Sequence, residues 1–569
     1  MAAIALGVRL LNVDGNPLQP SESVLALDSW RILHHDGIQV GASPLLVYAN
    51  TVLFLLLGST DAVARSLSVF AGWLTVLSPL LLRRQLGRFG TFGASVLLAV
   101  SPTLVFASRS IDPSMLSVSL CIVIAVAILR YLEDWSTTPL VFAAVGLALL
   151  VMSGPLMVTF LIVGATFGVL WVSRYAQRFL PMTNPKSSSH HAVGISLNGS
   201  VEPSRDVLRK VGLAFGLTFL PVATALGTNL EGIGESVSAP VAAWASAFSG
   251  VAPHPAWLFP AILVGYEPWA LIFGVAGAVL ALRQRWFTGA FLSWWFSVGL
   301  VLLILSDGHD ANWAAFVVVP LGILAGYAIE ALVREYSSAT PWKRLGWYAV
   351  VVMPLIATSL IALGNVTLPV PNVPTWLGAV PPLLIVAFTV GFGFQVGWRA
   401  TFVAVSAVAL VALLGFSVHA MTLLNPGGEL NPSEYFTGSV TSPDVRHMSS
   451  DIAIILDELE IARQLQGKDV TMSVEVATPF AQPILWYLHP QSDVHAVRTV
   501  SDSPGIAIVS ATDKAPNGPY AGQLFQYSVS TSWPKLDFKD LWRWWIYHES
   551  GSRHGTYVKV YVKTQLAQP

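Results

Sequence analysis

The sequence predicts a polytopic α-helical membrane protein of about 13 transmembrane helices, the first one truncated, followed by a small C-terminal extracytoplasmic α/β domain. Three observations carry this. The 569 residues are 54% hydrophobic and only 11% charged, where soluble domains devote about a quarter of their residues to charge. The mean hydropathy is +0.63. Apolar runs approaching the ~20 residues that cross a bilayer recur as far as Leu424, after which Asn-Pro-Gly-Gly punctuation and mixed periodicity take over.

In chain order, residues 1–13 form an apolar piece too short to cross unaided, with neither a basic start nor a small-residue cleavage site, so it is read as the tail of a span rather than a cleavable signal peptide. Spanning runs are expected near 62–82, 89–107, 113–130, 138–153, 155–172, 211–227, 257–282, 287–306, 313–333, 345–365, 376–396 and 400–420. The run 43–57 is as apolar but shorter, which suits an interfacial or re-entrant helix. Charge decides its place. If it does not cross, Arg83, Arg84, Arg88, Arg130, the basic residues of loop 174–210, Arg283, Arg285, Arg334, Lys343, Arg344 and Arg399 all fall on one side, the cytoplasm by the positive-inside rule. The N-terminus is then cytoplasmic, the chain a multi-pass protein of the cell membrane, and the C-terminal domain outside.

The transmembrane part is expected over 1–424, with a first outer loop at 14–61, and the extracytoplasmic domain over 425–569. In the latter, 444–466 has helical spacing, 470–476 alternates as a strand, 479–488 suits a short helix, and 506–510 and 557–562 read as strands. The aromatic clusters Trp486-Tyr487 and Trp542, Trp544, Trp545, Tyr547 suit core, membrane interface or an acceptor site, the first two ahead of the third. The lone Cys121 sits in an apolar run and excludes a disulfide framework or a cysteine zinc site. A net charge of -1 with no basic arm excludes nucleic acid as a partner. The pair His190-His191 in the cytoplasmic loop has no companion ligands nearby and is assigned no function.

The outer loops carry acids: Glu22, Asp36, Asp112, Glu231, Glu235, Asp307 and Asp310. Ionisable groups at a bilayer edge are costly without a task or a partner. Topology places Glu22 in the polar stretch PLQPSESVLALDSWRILHHD and Asp112 in SRSIDP on the same face, with Arg109 beside Asp112. A planar guanidinium suits a phosphate, and a carboxylate can take a proton from an acceptor while a cation or metal stabilises a departing phosphate. Glu22 is therefore the expected base or metal ligand, Asp112 orients acceptor or metal, and Arg109 binds the donor phosphate. Asp112-Pro113 is also an ordinary helix start, with Asp112 at the N-cap and proline at the first helical position.

The order of features resembles the glycosyltransferase C superfamily: Arg9 in an apolar start, PLQPSE, Ala26 to Trp30, SPLLVYA, GSTDAVARSLSVFAG, the Arg turn, SPTLVFASRSID, and a soluble C-terminal domain. Within it the chain is most similar to the protein O-mannosyltransferase and aminoarabinose-transferase-like membrane proteins of bacteria and archaea. The likeness covers the first 175 or so residues best, and Gly265-Tyr266-Glu267-Pro268 and QPILWYL at 482–488 resemble one branch linked to lipid-linked sugar pathways. The resemblance implies a polyprenyl-phosphate-linked sugar donor, inverting transfer, a protein, lipid or glycan acceptor approached from outside, and an Asp-Glu pair in the first loop. Here that pair is Ser21-Glu22, Ala42-Ser43-Pro44 replaces His-Gly-Pro or Lys-Pro-Pro, Gly154-Pro155 replaces Lys-Glu, and His309 to Trp313 lacks the branch's Lys. Glu267, His309 and Asp310 join the site as acceptor-binding or supporting residues.

Three functions remain after this reading. A polyprenyl-phosphate-dependent membrane glycosyltransferase ranks first, with a divalent metal ion left open. A non-catalytic relative that binds lipid-linked sugars or assists their assembly or flipping ranks second. A solute transporter ranks third, since no internal repeat is present and few ionisable residues fall within spans.

Overall fold

The computed structural model describes residues 2–35, 41–134, 136–174, 205–249, 257–306, 310–339, 342–367, 378–425, 430–466, 473–491, 493–501, 504–531, 538–548 and 552–563. Asp36, Asp307, His309 and the His190-His191 pair lie outside the described residues.

The first three quarters of the chain, as far as Leu424, build a helical bundle around one rod, Ala315–Ala339. In chain order the helices are α1 (Ala2–Leu10), α2 (Pro20–Leu33), α3 (Pro44–Leu57), α4 (Asp61–Leu77), α5 (Arg83–Val100), α6 (Pro102–Ser108), α7 (Pro113–Asp134), α8 (Thr137–Val151), α9 (Leu156–Arg174), α10 (Arg205–Ala223), α11 (Gly232–Ser246), α12 (Leu258–Tyr266), α13 (Val275–Arg283), α14 (Phe287–Leu305), α15 (Ala315–Ala339), α16 (Trp342–Thr367), α17 (Val380–Val396) and α18 (Trp398–Leu424). Helix α15 is apolar on nearly every side, and Ala315 to Leu324 is almost wholly buried, as expected of a helix surrounded by others. Glycines let it approach its neighbours: a Cβ on Gly277 would lie 1.9 Å from the Leu324 carbonyl oxygen, and one on Gly326 2.5 Å from that of Gly90.

Among the described residues six helices are long and apolar enough to cross a membrane, or seven if one bent pair counts as a single span; α3, α8, α17 and Leu156–Leu170 are shorter apolar helices. Several expected spans are not straight rods. The run 89–107 breaks at Ser101, whose side chain accepts from Leu104 N and caps α6 with Pro102 at the first helical position. The run 257–282 bends by 98° between Tyr266 and Ala270. The stretch 228–256, expected as an outer loop, contains the 15-residue α11. The run 43–57 is the helix α3, whose 14 residues rise only about 21 Å, short of the ~30 Å hydrocarbon thickness.

The C-terminal part is a mixed six-stranded sheet in the order β1-β5-β6-β4-β2-β3, from β1 (Ser439–Thr441), β2 (Val474–Ala477), β3 (Val494–Val497), β4 (Ile506–Ser510), β5 (Tyr520–Thr531) and β6 (Arg553–Lys563). Strand β2 runs parallel to β3 and β4, while β6 pairs antiparallel with β4 and β5. Helices α19 (Asp444–Gln466) and α20 (Ala481–Tyr487) cover it, and α21 (Phe538–Tyr547) leaves it to pack on the helical part. There the aromatic cluster is core: Trp544 is buried against Tyr266 and Tyr435, and Trp545 packs on Phe416 of α18.

Candidate functional site

Four separated segments meet at one end of the bundle around a cavity of about 560 Å3. The loop after α1 and the start of α2 supply Val13, Asn16, Gln19 to Glu22 and Leu25, the α6–α7 turn supplies Arg109 to Asp112, the turn before α15 supplies Asp310 to Asn312, and the chain leaving α18 supplies Asn425, Leu430 and Tyr435 to Ser439. Glu22, Arg109, Asp112 and Asp310 therefore share one cavity, together with Arg65 from α4.

Glu22 is held hard. Pro20 starts α2 and Glu22, three residues after Gln19, reaches back to accept from Gln19 N at 2.9 Å, a capping-box arrangement. Its other oxygen accepts from Ile111 N at 2.8 Å. Arg65 completes the shell, with Nη2 2.8 Å from Oε2 and Nε 3.3 Å from Oε1. Both side chains are only 5% exposed, so this is a buried ion pair, and Arg65 also donates to the carbonyls of Val13 at 2.7 Å and Asn16 at 3.0 Å. Glu22 therefore accepts from a forked guanidinium and two backbone N–H groups at once.

Asp112 is different. It is the N-cap of α7, accepting from Ser114 N at 2.7 Å through Oδ1. Desolvation first, then the nearby Asp310 carboxylate, push its carboxyl up to about 7. That is the range in which a carboxylate serves as a general base at neutral pH. Asp310 is exposed and caps its own turn, accepting from Asn312 N at 3.3 Å. Asn312 Nδ2 donates to Ser110 Oγ at 3.4 Å and ties this turn to the α6–α7 turn.

Arg109 donates to the Leu11 carbonyl at 2.8 Å, Asn12 at 2.9 Å and Val8 at 3.3 Å, a cation closing the C-terminus of α1. That engages three of its five donors. Glu267 sits elsewhere: fully buried at the bend after α12, it accepts from Ser101 Oγ at 2.5 Å and Thr103 N at 3.0 Å, bracing the start of α6, and it does not line the cavity. His309 lies outside the described residues.

Among the described residues no group of three or more His, Cys, Asp or Glu is placed to hold a metal. With Glu22 paired to Arg65, the nearest donor set is Asp112 with Asp310; a hard divalent ion there would complete its shell with phosphate and water oxygens.

Sequence reasoning missed Arg65 and the residues of 425–439. The signal for Arg65 was present: a lone arginine inside the apolar run GSTDAVARSLSVFAG needs a partner. Nothing local marked 425–439 as cavity wall.

The bundle with its bent and broken helices, the cavity and the appended sheet make up a polytopic helical fold that solved structures share. ArnT from Cupriavidus metallidurans, solved without ligand and with undecaprenyl phosphate bound, matches this chain with a TM-score of 0.57 and 15% identity in each case, over 100% of this chain and 98% of that chain. The archaeal oligosaccharyltransferase AglB from Archaeoglobus fulgidus is more distant, at 12% identity and a TM-score of 0.42 over 87% of this chain and 63% of that chain. No protein-family model matches the sequence, and no curated protein matches it.

Proposed function

We propose that this protein is a membrane glycosyltransferase that moves a sugar from a polyprenyl-phosphate donor to an acceptor on the extracytoplasmic face. The supporting observation is the single cavity that joins an elevated carboxyl, Asp112, to an arginine with unspent donors, Arg109. It occurs in a fold that, in ArnT, has been solved with undecaprenyl phosphate. Asp112 takes the proton of the acceptor hydroxyl as its oxygen attacks the anomeric carbon. The bond from that carbon to the phosphate oxygen breaks with inversion, and the leaving phosphate keeps the electron pair while Arg109 steadies its charge. Glu22 anchors the loop through Arg65 rather than carrying the proton.

Ser21, in place of the expected Asp, favours a second reading, a non-catalytic binder of lipid-linked sugars. Purified protein in lipid nanodiscs should bind undecaprenyl phosphate, and native membranes supplied with labelled donor lipid should lose transfer in Asp112→Asn. Full transfer in Asp112→Asn refutes the mechanism; binding without transfer in the wild type establishes the second reading. The proposed orientation is tested by an impermeant thiol reagent, which should label Lys514→Cys on intact cells and Arg84→Cys only after permeabilisation.

A further inference from the structure

Besides the Arg109 bonds to Leu11 and Asn12, the backbone of the loop between α1 and α2 is bonded from two further sides. From α4, Arg65 holds the carbonyls of Val13 and Asn16. From the sheet domain, Arg446 of α19 holds Gly15 O at 3.4 Å and Asn16 O at 3.0 Å, the Tyr487 hydroxyl accepts from Leu18 N at 2.8 Å, and Thr441 N donates to the Gln19 side-chain oxygen at 3.0 Å.

One residue joins the two sides. Asp61 lies one helical turn before Arg65, so both point the same way from α4. Its Oδ2 accepts from Arg446 Nη2 at 2.5 Å and from the Tyr487 hydroxyl at 2.9 Å, and its Oδ1 accepts from Trp486 Nε1 at 2.7 Å. The Asp61 side chain is 10% exposed, and a desolvated carboxylate with three donors, one of them charged, is among the stronger protein contacts. At the outer edge, Ser59 Oγ lies 3.0 Å from His489 Nε2.

We propose that Asp61 is a positioning residue: through Arg446 and Tyr487 it locks the sheet domain onto the loop that carries Glu22, so that domain docking sets the shape of the cavity. The Tyr487 hydroxyl meets Asp61 and Leu18 N at once, so loop and domain move as one body about α4. Loss of the lock frees Gly15, Asn16 and Gln19, the last two in the cavity wall, while Glu22 stays held by Arg65 and Asp112 and Arg109 stay in the α6–α7 turn. The consequence for catalysis rests on the proposed function; the lock itself does not.

The test uses the full chain in nanodiscs. In Arg446→Gln and in the near-isosteric Tyr487→Phe, amide hydrogen exchange over residues 11–19 should rise roughly tenfold or more, the scale of a lost charge-assisted bond, while exchange in α7 and in β4 to β6 stays at the wild-type rate. Arg446→Lys, which keeps the charge on Asp61 but not the fork to two carbonyls, should restore part of that protection. Undecaprenyl phosphate affinity should fall several-fold in Arg446→Gln. A loop that keeps wild-type protection in Arg446→Gln and Tyr487→Phe overturns the proposal, as does a rise shared by the whole chain, or a freed loop with unchanged affinity. If the wild type binds no undecaprenyl phosphate, the functional reading fails, and the exchange arm alone decides the lock.

Discussion

Replacing Glu22 by glutamine separates an anchoring role from a chemical one. The Glu22 and Arg65 side chains are each 5% exposed and 2.8 Å apart. Removing one charge leaves the guanidinium buried without its counter-ion, a change that costs about 3–5 kcal/mol. Glutamine also offers one acceptor oxygen where the carboxylate serves Gln19 N, Ile111 N and Arg65 with two, so at least one backbone N–H loses its partner, a further ~1–3 kcal/mol. The docked loop should therefore lose roughly three to six orders of magnitude in population. Thermal unfolding of the purified protein, followed by tryptophan fluorescence, should show a marked loss of stability in Glu22→Gln, with transfer falling alongside it. Removing both charges together, Glu22→Leu with Arg65→Leu, should be less destabilising than either single change, because no uncompensated charge remains. A Glu22→Gln protein that melts like the wild type yet transfers no sugar refutes this reasoning and returns the proton-transfer role to Glu22.

The remaining predictions concern the cavity and the packing around it. With the Asp112 carboxyl raised to about 7, the base form is lost below that value, so transfer rate should rise with pH through a limb near 7. Asp310→Asn removes a repulsion that favours the protonated form, so the limb should move to lower pH; it should stay above the ordinary carboxylate value of ~3.9 because desolvation, the larger cause, persists. An unmoved limb removes Asp112 as the titrating group. Arg109→Lys keeps a positive charge but loses the fork that reaches both Leu11 and Asn12 carbonyls, and undecaprenyl phosphate titration should show weaker binding by about tenfold. Gly277→Ala puts a methyl group 1.9 Å from the Leu324 carbonyl oxygen, and overpacking at α13 and α15 should cost ~1–3 kcal/mol in thermal unfolding, with the pH limb unchanged.

Local rules in the sequence account for much of the fold. The start of α2 follows from Pro20 and the backward reach of Glu22, and the start of α7 from Asp112 and Pro113. Helix α19 and strands β2, β4 and β6 follow apolar periodicity. The long β5 was not legible, because most of its residues are exposed or half-buried and no alternation marks one face. The bend at Glu267-Pro268 and the break at Ser101-Pro102 fall in runs whose average hydropathy stays high. Hydropathy records that such a segment is out of water, not that its axis turns.

By itself, the sequence determined the solvent this chain folds in and where several of its helices start, because those depend on composition and on residues a few positions apart. The tertiary structure alone decided which charges meet. Arg65 claims Glu22 across 43 positions, and Arg446 claims Asp61 across 385. Asp112 is desolvated and lies near the Asp310 carboxylate, both of which raise its pKa. A buried charge must find a partner, but the partner is chosen by the packing of distant helices, and that choice pairs Glu22 with Arg65 rather than with Asp112's neighbours.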